Sequence, residues 1–353
     1  MPAIFSEVST ANYGGDEAGL ICGFVFGEAG VGRPVSSNTA ADWLAQRGPP
    51  DEEAQGAAAG FAWLHFNLAQ VSAERWLARH AGLSDDFFEL LHDDLYSTRI
   101  ERADQALMAV INDVHFDFEM DASDISTLWI SVDRRLVVTA RRHPLRSVDH
   151  LRTAVNRGEA FRSTSELLER LMRTQADVLV GIVRSVTDRV DKIEDQLLAG
   201  RLATKRSRLG NLRRVMVRLQ RLLAPEPAAL FRLLQNPPAW MASSDVQELR
   251  AATEEFSVVL RDMQALQERI KLLQEEIAAS VNEDNNRSLF VLTIVTVLAL
   301  PINILAGLFG MNVGGIPLSD DSHGFWILVA LVVGFTCVAG WAVLRRHRKD
   351  RQD

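Results

Sequence analysis

The sequence predicts an α+β cytoplasmic domain followed by long helices and two C-terminal transmembrane helices. Three observations support this fold class. Runs rich in β-branched and aromatic residues, which favour strands, occur in the first 160 residues. A seven-residue repeat of apolar residues lies between residues 249 and 277. Two uncharged apolar runs follow this repeat, at residues 288–309 and 322–344.

The overall composition limits the classes of protein to which the chain belongs. It has 353 residues, of which 47% are hydrophobic and 24% are charged, as in ordinary globular proteins. Its formal net charge of −8 argues against a nucleic-acid partner. Cys22 and Cys337 are far apart and belong to no CxxC pair, so neither a disulfide framework nor a zinc finger is expected. Residues 1–15 lack a signal-peptide pattern, and we therefore expect most of the chain to stay in the cytoplasm.

Residues 1–160 are expected to form the cytoplasmic domain of mixed α and β structure. Helical patterns occur at residues 72–81 and 85–91, between strand-like runs. Residues 48–60 contain two prolines and three acidic residues, which indicates a loop. The predicted strands are residues 21–26, 61–67, 106–118, 125–132 and 136–140.

Residues 161–241 are expected to contain long cytoplasmic helices. The helical pattern covers residues 161–199 and then residues 202–223, where Pro225 and Pro227 end it. The second of these helices is rich in arginine, which usually indicates a solvated face. The alternative is that its arginines pair with acidic residues of a neighbouring helix, namely Asp188, Asp191, Glu194 and Asp195.

A third helix is expected to run without interruption from about Asp245 to Phe309, with residues 242–287 forming a stalk. Apolar residues recur every seven positions, and a second apolar set follows three residues after the first. This is the seam of a coiled-coil-like packing. The first set is Leu249, Phe256, Met263, Ile270 and Ile277, and the second is Ala252, Val259, Leu266 and Leu273.

The two apolar runs are expected to cross the lipid bilayer of the inner membrane. The first has 22 residues without a charge, which makes a helix of roughly 33 Å against a hydrocarbon core of about 30 Å. The connecting loop at residues 310–321 has no Lys or Arg, whereas the tail at residues 345–353 is basic. Basic clusters stay on the cytoplasmic side, so both termini are expected there.

A polar heptad lies on another face of the third helix, and we call it the polar stripe. Within the first apolar run it still holds Thr296 and Asn303. One interpretation is a solvated stalk face with two residues that bond a neighbouring helix. The other is a water-lined face that encloses an axis together with other copies of the helix. The stripe comprises Glu254, Arg261, Glu268, Glu275, Asn282, Leu289, Thr296 and Asn303.

The first apolar run ends in Gly310, Met311 and Asn312. An asparagine carbonyl is a hard oxygen ligand, suited to a divalent cation or its hydration shell, and symmetric copies make a ring of such oxygens. Asp320 and Asp321 are expected to concentrate cations near this ring. The residues between motif and acids are Val313, Gly314, Gly315, Ile316 and Pro317.

These features resemble the CorA metal-ion transporters, a family with two spans and a Gly-x-Asn motif. The sequence after Asn312 is similar to the zinc-transporting ZntB branch of that family. The resemblance implies a homopentamer with a CorA-like pentameric funnel, and a pore lined by the first span. Zn²⁺ is then the expected transported cation, and no cofactor is expected. Carried over by position, the pore-lining residues are Glu275, Asn282, Leu289, Leu292, Thr296, Leu300, Asn303, Gly307 and Asn312.

Zinc prefers His and Cys ligands, and the predicted pore has neither, so we expect the ion to pass hydrated. Two alternatives to a zinc transporter stay open. A Mg²⁺ or Co²⁺ transporter of the same fold is the first alternative. The second is a membrane-anchored coiled-coil scaffold or sensor that moves no ion. The histidines show no HxxxH or HExxH spacing, and no phosphate-binding or hydrolase motif occurs, so the sequence gives no support for an enzyme.

Overall fold

The structure is a computed structural model that describes residues 14–46, 60–93, 98–103, 105–121, 124–199, 206–311 and 323–349. Its internal contacts divide the chain into two compact units, Met1–Gln274 and Glu275–Asp353. The predicted loop at residues 48–60 lies outside the described residues except for Gly60.

A seven-stranded mixed sheet forms the centre of the first unit. Its strand order is β2-β1-β3-β7-β6-β5-β4, and all neighbouring strands are antiparallel except β3 and β7, which are parallel. The parallel register places His65 opposite Thr139. The strands are β1 (Leu20–Phe26), β2 (Gly32–Pro34), β3 (Phe61–Asn67), β4 (Arg99–Ala103), β5 (Ala106–Val114), β6 (Ile125–Val132) and β7 (Leu136–Arg141).

Nine helices are found among the described residues. Ser163 caps the long helix α5 by accepting a hydrogen bond from the backbone N–H of Glu166, as serine commonly does at a helix start. The helices are α1 (Ser37–Ala45), α2 (Val71–His80), α3 (Asp85–His92), α4 (Arg146–Asn156), α5 (Thr164–Leu198), α6 (Arg206–Leu223), α7 (Pro225–Leu233), α8 (Ser243–Phe309) and α9 (Gly324–Lys349).

Each face of the sheet packs against helices. One core cluster joins strand residues such as Phe26 and Trp63 to α4, α5, α7 and the beginning of α8, where Leu249 and Ala252 are fully buried. The other cluster joins the opposite face to α1, α2 and α3. The alternation of side chains along the strands therefore serves two cores, which explains why β5 to β7 are buried along nearly their whole length.

The predicted mixed domain followed by long helices is confirmed, and several details differ. The strand predicted at residues 106–118 ends at Val114, because a turn begins at His115, whose oxygen accepts from the backbone N–H of Phe118. The prolines that end the second long helix also start α7, with Pro225 in its first turn. The second apolar helix continues past residue 344 to Lys349. Elements that were not predicted are β2, β4, α1, α4 and α7.

The heptad seam of α8 is buried as predicted: all nine of its residues are at most 7% exposed. Polar contacts within the first unit join α8 to α5 and α6. Arg269 forms ion pairs with Asp191 and Glu194 of α5, and Gln267 donates to the backbone oxygen of Met216 at 3.0 Å. Two of the four acidic residues, Asp191 and Glu194, therefore pair with the stalk. The arginines Arg208, Arg213, Arg214, Arg218 and Arg221 of α6 are exposed.

Candidate functional site

The predicted pore-lining residues of α8 share one exposed face. At about 100° of rotation per residue, these positions fall within an arc of about 100° around the helix axis. The face consists of Glu275, Asn282, Leu289, Leu292, Thr296, Leu300, Asn303 and Gly307, all exposed in this single chain. We call it the exposed face of α8.

The opposite side of the same segment is partly shielded. The larger side chains with intermediate exposure between residues 288 and 309 also fall in an arc of about 100°, centred about 180° away from the exposed face. They are Ile294, Leu298, Pro301, Ile302, Leu305 and Phe309. One side of the apolar segment thus holds six side chains of intermediate exposure, whereas the side with Thr296 and Asn303 is exposed.

The exposed face changes in chemistry along the helix. Glu275 and Asn282 are polar, and after Arg287 the segment carries no charged residue up to Gly310. Thr296 donates its hydroxyl proton to the backbone oxygen of Leu292 at 2.8 Å, so its oxygen lone pairs stay available as acceptors. Asn303 adds an amide oxygen one heptad later. The face can therefore offer neutral oxygen ligands between exposed leucines.

Gly310, the first residue of the predicted motif, follows directly after the last residue of α8. The backbone N–H of Gly310 donates to the oxygen of Ala306 at 2.9 Å, which completes the last turn. A Cβ added to Gly310 would lie 2.9 Å from that same oxygen, so a larger residue would displace the helix end. Met311 is exposed. The remaining predicted site residues, Asn312, Val313, Gly314, Gly315, Ile316, Pro317, Asp320 and Asp321, lie outside the described residues.

Two helices are long and apolar enough to cross a membrane by length and composition. One is α8, and the other is the part of α9 from Gly324 to Trp341. Their most apolar windows are almost entirely unburied, which is not the behaviour of the core helix of a soluble protein. Trp326 and Trp341, near the two ends of this part of α9, are both exposed, as interfacial anchors are.

The histidines form no metal centre in the part of the chain that the structure describes. No group of three His, Cys, Asp or Glu residues there is close enough to hold a metal ion. His115 and His143 stack with ring centroids 5.2 Å apart and planes at 29°, so their in-plane lone pairs do not converge on one point. His65 is buried and accepts from Arg141 Nε at 3.2 Å. Burial and the charge of Arg141 hold the pKa of His65 well below its usual value, which keeps the ring neutral.

Two buried acids were not predicted from the sequence. Asp113 accepts from the backbone N–H and hydroxyl of Ser147 at 2.9 Å each, and burial raises its pKa to about 6. Glu226 is completely buried in the first turn of α7. Its flanking prolines are the only local signal, and they indicate a turn rather than burial.

Comparison with known families identifies this arrangement. The family model of the CorA-like Mg²⁺ transporter protein matches residues 58–346, which include strands β3 to β7, the long helices and both apolar runs. The chain belongs to the CorA family. The resemblance that the sequence suggested is therefore confirmed at the level of the family.

Individual members of the CorA family resemble the chain over most of its length. The divalent cation transporter CmaX of Pseudomonas aeruginosa is 30% identical over 338 residues, which cover 95% of this chain and 98% of the relative. The zinc transport protein ZntB of Yersinia enterocolitica is 24% identical and covers 79% of this chain and 85% of the relative. The structure of full-length CmaX superposes with a TM-score of 0.76 at 29% identity, covering 95% of this chain and 99% of CmaX.

Proposed function

We propose that the chain transports divalent cations, zinc among them, through a pore that α8 of five copies encloses. The observation that carries the proposal is the exposed face of α8. Thr296 and Asn303 lie on it, and the shielded residues lie on the opposite side. A polar face inside a membrane segment is costly against lipid and is satisfied when it lines water.

Several copies are needed because one helix cannot enclose a conduit. A pentamer is the assembly that the CorA resemblance implies, and a ring built by rotation places the same face of each α8 on the axis. Thr296 then contributes a ring of hydroxyl oxygens, and Asn303 contributes a ring of amide oxygens one heptad further along. Exposed Leu300 places an apolar constriction between these polar rings, and exposed Leu289 and Leu292 place two more before Thr296.

The oxygen ligands of this face suit a hydrated cation rather than a bare zinc ion. The face has no His or Cys, the ligands that zinc prefers in direct coordination. Selection is therefore assigned to the motif Gly310, Met311 and Asn312, and attraction of cations to Asp320 and Asp321. The similarity to ZntB supports zinc, and the higher identity to CmaX supports a broader range of divalent cations.

The orientation follows from charge. The tail after residue 344 is basic and is placed in the cytoplasm, as the positive-inside rule requires. Two spans then put both termini on the cytoplasmic side and the motif on the outer side. In this arrangement residues 1–287 form the cytoplasmic funnel that cations leave or enter.

Flux into liposomes tests the proposal and separates it from its alternatives. The purified full chain is reconstituted, and uptake of zinc, magnesium and cobalt is followed with each ion alone and in competition. We expect zinc uptake that magnesium and cobalt reduce to the extent that they share the pathway. Uptake of magnesium that zinc does not reduce would favour the magnesium alternative. No uptake of any ion by reconstituted oligomers would favour a scaffold or sensor.

A further inference from the structure

A buried carboxyl group in α7 is in contact with a buried amide of α5. Glu226 is 0% exposed and Gln175 is 2% exposed. Gln175 Nε2 donates to the backbone oxygen of Asn112 at 2.8 Å and to Glu226 Oε2 at 3.3 Å. Both N–H groups of the amide are therefore used, and one of them holds the carboxyl group of α7.

The remaining side-chain oxygens of Gln175 and Glu226 indicate which protonation state of Glu226 the buried site favours. Gln175 Oε1 and Glu226 Oε1 are both buried, and neither has a hydrogen-bond partner among the described residues. An ionised Glu226 would leave two acceptors without a donor in a site shielded from water. A neutral Glu226 carries a proton on one carboxyl oxygen, so the site then holds one more donor and no buried negative charge. The hydrogen-bond inventory thus favours the protonated acid.

The electrostatic surroundings act in the same direction. Burial raises the pKa of Glu226 well above its ordinary value, and the nearby carboxylate of Asp113 on β5 adds to the increase. The hydrogen bond from Gln175 lowers the pKa of Glu226, but by less than burial raises it. Two further groups in these hydrogen bonds are neutral: the backbone oxygen of Asn112, which accepts from Gln175, and the hydroxyl group of Thr98, which accepts from the side chain of Asn112.

The pair belongs to a closed series of contacts that joins four elements. Asn112 of β5 accepts from Gln175 of α5 and donates through Nδ2 to Thr98 Oγ1 at 3.3 Å. Thr98 in turn donates to the backbone oxygen of Leu222 in the last turn of α6, at 2.9 Å. Residues 223–225 connect Leu222 to Glu226 and complete the ring. A change at Glu226 therefore acts on the position of α6 and α7 against the sheet.

We propose that Glu226 is a proton-binding site inside the fold, through which cytoplasmic pH controls the attachment of α7 to α5 and β5, and with it cation transport. The effect on transport rests on the proposed function, whereas the proton site itself does not. Loss of the proton places a second negative charge near Asp113 in a buried site, which weakens the contact between Glu226 and Gln175. The segment from Ser288 to Phe309 has no ionisable side chain.

Infrared difference spectroscopy of the full chain in detergent tests the proton site without any transport assay. Above about pH 6, where Asp113 becomes ionised, we expect the carbonyl band of a protonated carboxylic acid in the wild type. Glu226→Gln keeps one donor and one acceptor and is expected to fold, but to lose this band. The matched control is Glu248→Gln, at an exposed glutamate of α8, which should keep it. A wild type without the band, or a Glu226→Gln variant that retains it, would overturn the proton site.

Zinc flux at different pH values on the funnel side tests the regulatory part. We expect wild-type and Glu248→Gln flux to change as the pH on the funnel side is raised at a fixed outer pH, and Glu226→Gln flux to stay flat. The same pH response in Glu226→Gln and in the wild type would overturn pH control by this residue. Absence of flux in every variant, with the infrared band present, would contradict the transport function and leave the proton site standing.

Discussion

Thr296 donates its hydroxyl proton to the backbone oxygen of Leu292, one turn earlier in α8, at 2.8 Å. The hydroxyl is thereby held against its own helix, with its lone pairs free to accept from water. Asn303, seven residues later, lies on the same exposed face. This arrangement gives an apolar segment a polar side without placing a charge in the membrane.

Removal of these polar groups should reduce transport without preventing assembly. We expect Thr296→Val and Asn303→Leu each to lower zinc flux by about tenfold or more, because loss of a hydrogen-bonding group costs about 1–3 kcal/mol. Thr336→Val is the matched control, since Thr336 makes the same bond to the oxygen of Val332 in α9, at 2.7 Å. Equal flux in all three variants would show that Thr296 and Asn303 do not line the pathway.

The motif at the end of α8 should be essential for uptake. Asn312→Ala is expected to abolish zinc, magnesium and cobalt flux in liposomes, because the ring of amide oxygens at the pore mouth is lost. Native mass spectrometry of the detergent-solubilised variant should still show the oligomer of the wild type. Flux that is unchanged in Asn312→Ala would remove the motif from the mechanism.

The ion pairs of Arg269 should contribute modestly to stability. Arg269 pairs with Asp191 at 2.7 Å and with Glu194, and all three side chains are about 40–50% exposed. We expect Arg269→Gln to lower the free energy of unfolding by about 1 kcal/mol at low salt and by less at high salt. Arg261→Gln, at an exposed position of the same helix, is the control. A loss that does not depend on salt would show that packing rather than charge is responsible.

Asp113 should make stability depend on pH in acid. Its folded-state pKa is raised from 3.8 to about 6, so the contribution to stability is present below about pH 4 and is lost as pH rises to about 6. The loss amounts to up to about 3 kcal/mol and is complete above pH 6. Urea unfolding of Asp113→Asn should lack this decrease, whereas Asp177→Asn, at an exposed site, should keep it. A stability that rises for the wild type relative to Asp113→Asn over this range would contradict the assignment.

The sequence was most informative where burial repeats with a fixed period. All nine apolar residues of the α8 heptad are buried, because their spacing places them on one side of the helix. Short helices and strands were harder to predict from the sequence. Strand β2 has three residues and depends on its pairing with β1, a tertiary contact that no local pattern encodes. Helix α4 does contain a signal, Val148, Leu151 and Val155 at helical spacing, all buried.

The candidate site was predictable in part for the same reason. The polar stripe followed from heptad spacing, and its membrane portion lies on the exposed face of α8. The buried acids had no such signal, because Glu226 stands between two prolines in a segment that resembles a solvent-exposed turn. Its burial arises from packing of α7 against β4 and from the contact with Gln175, both of which require the folded sheet.

The exposed face of α8 is proposed to line a water-filled ion pathway. Cysteine accessibility tests it most directly, in a chain whose own Cys22 and Cys337 are replaced by alanine. Asn303→Cys lies on the exposed face, and Leu305→Cys lies on the shielded side of the same helix turn. A membrane-impermeant thiol reagent should modify Asn303→Cys and thereby block zinc flux. Zinc should slow this modification, and Leu305→Cys should stay unmodified. Rapid modification of Leu305→Cys with no reaction at Asn303→Cys would contradict the account.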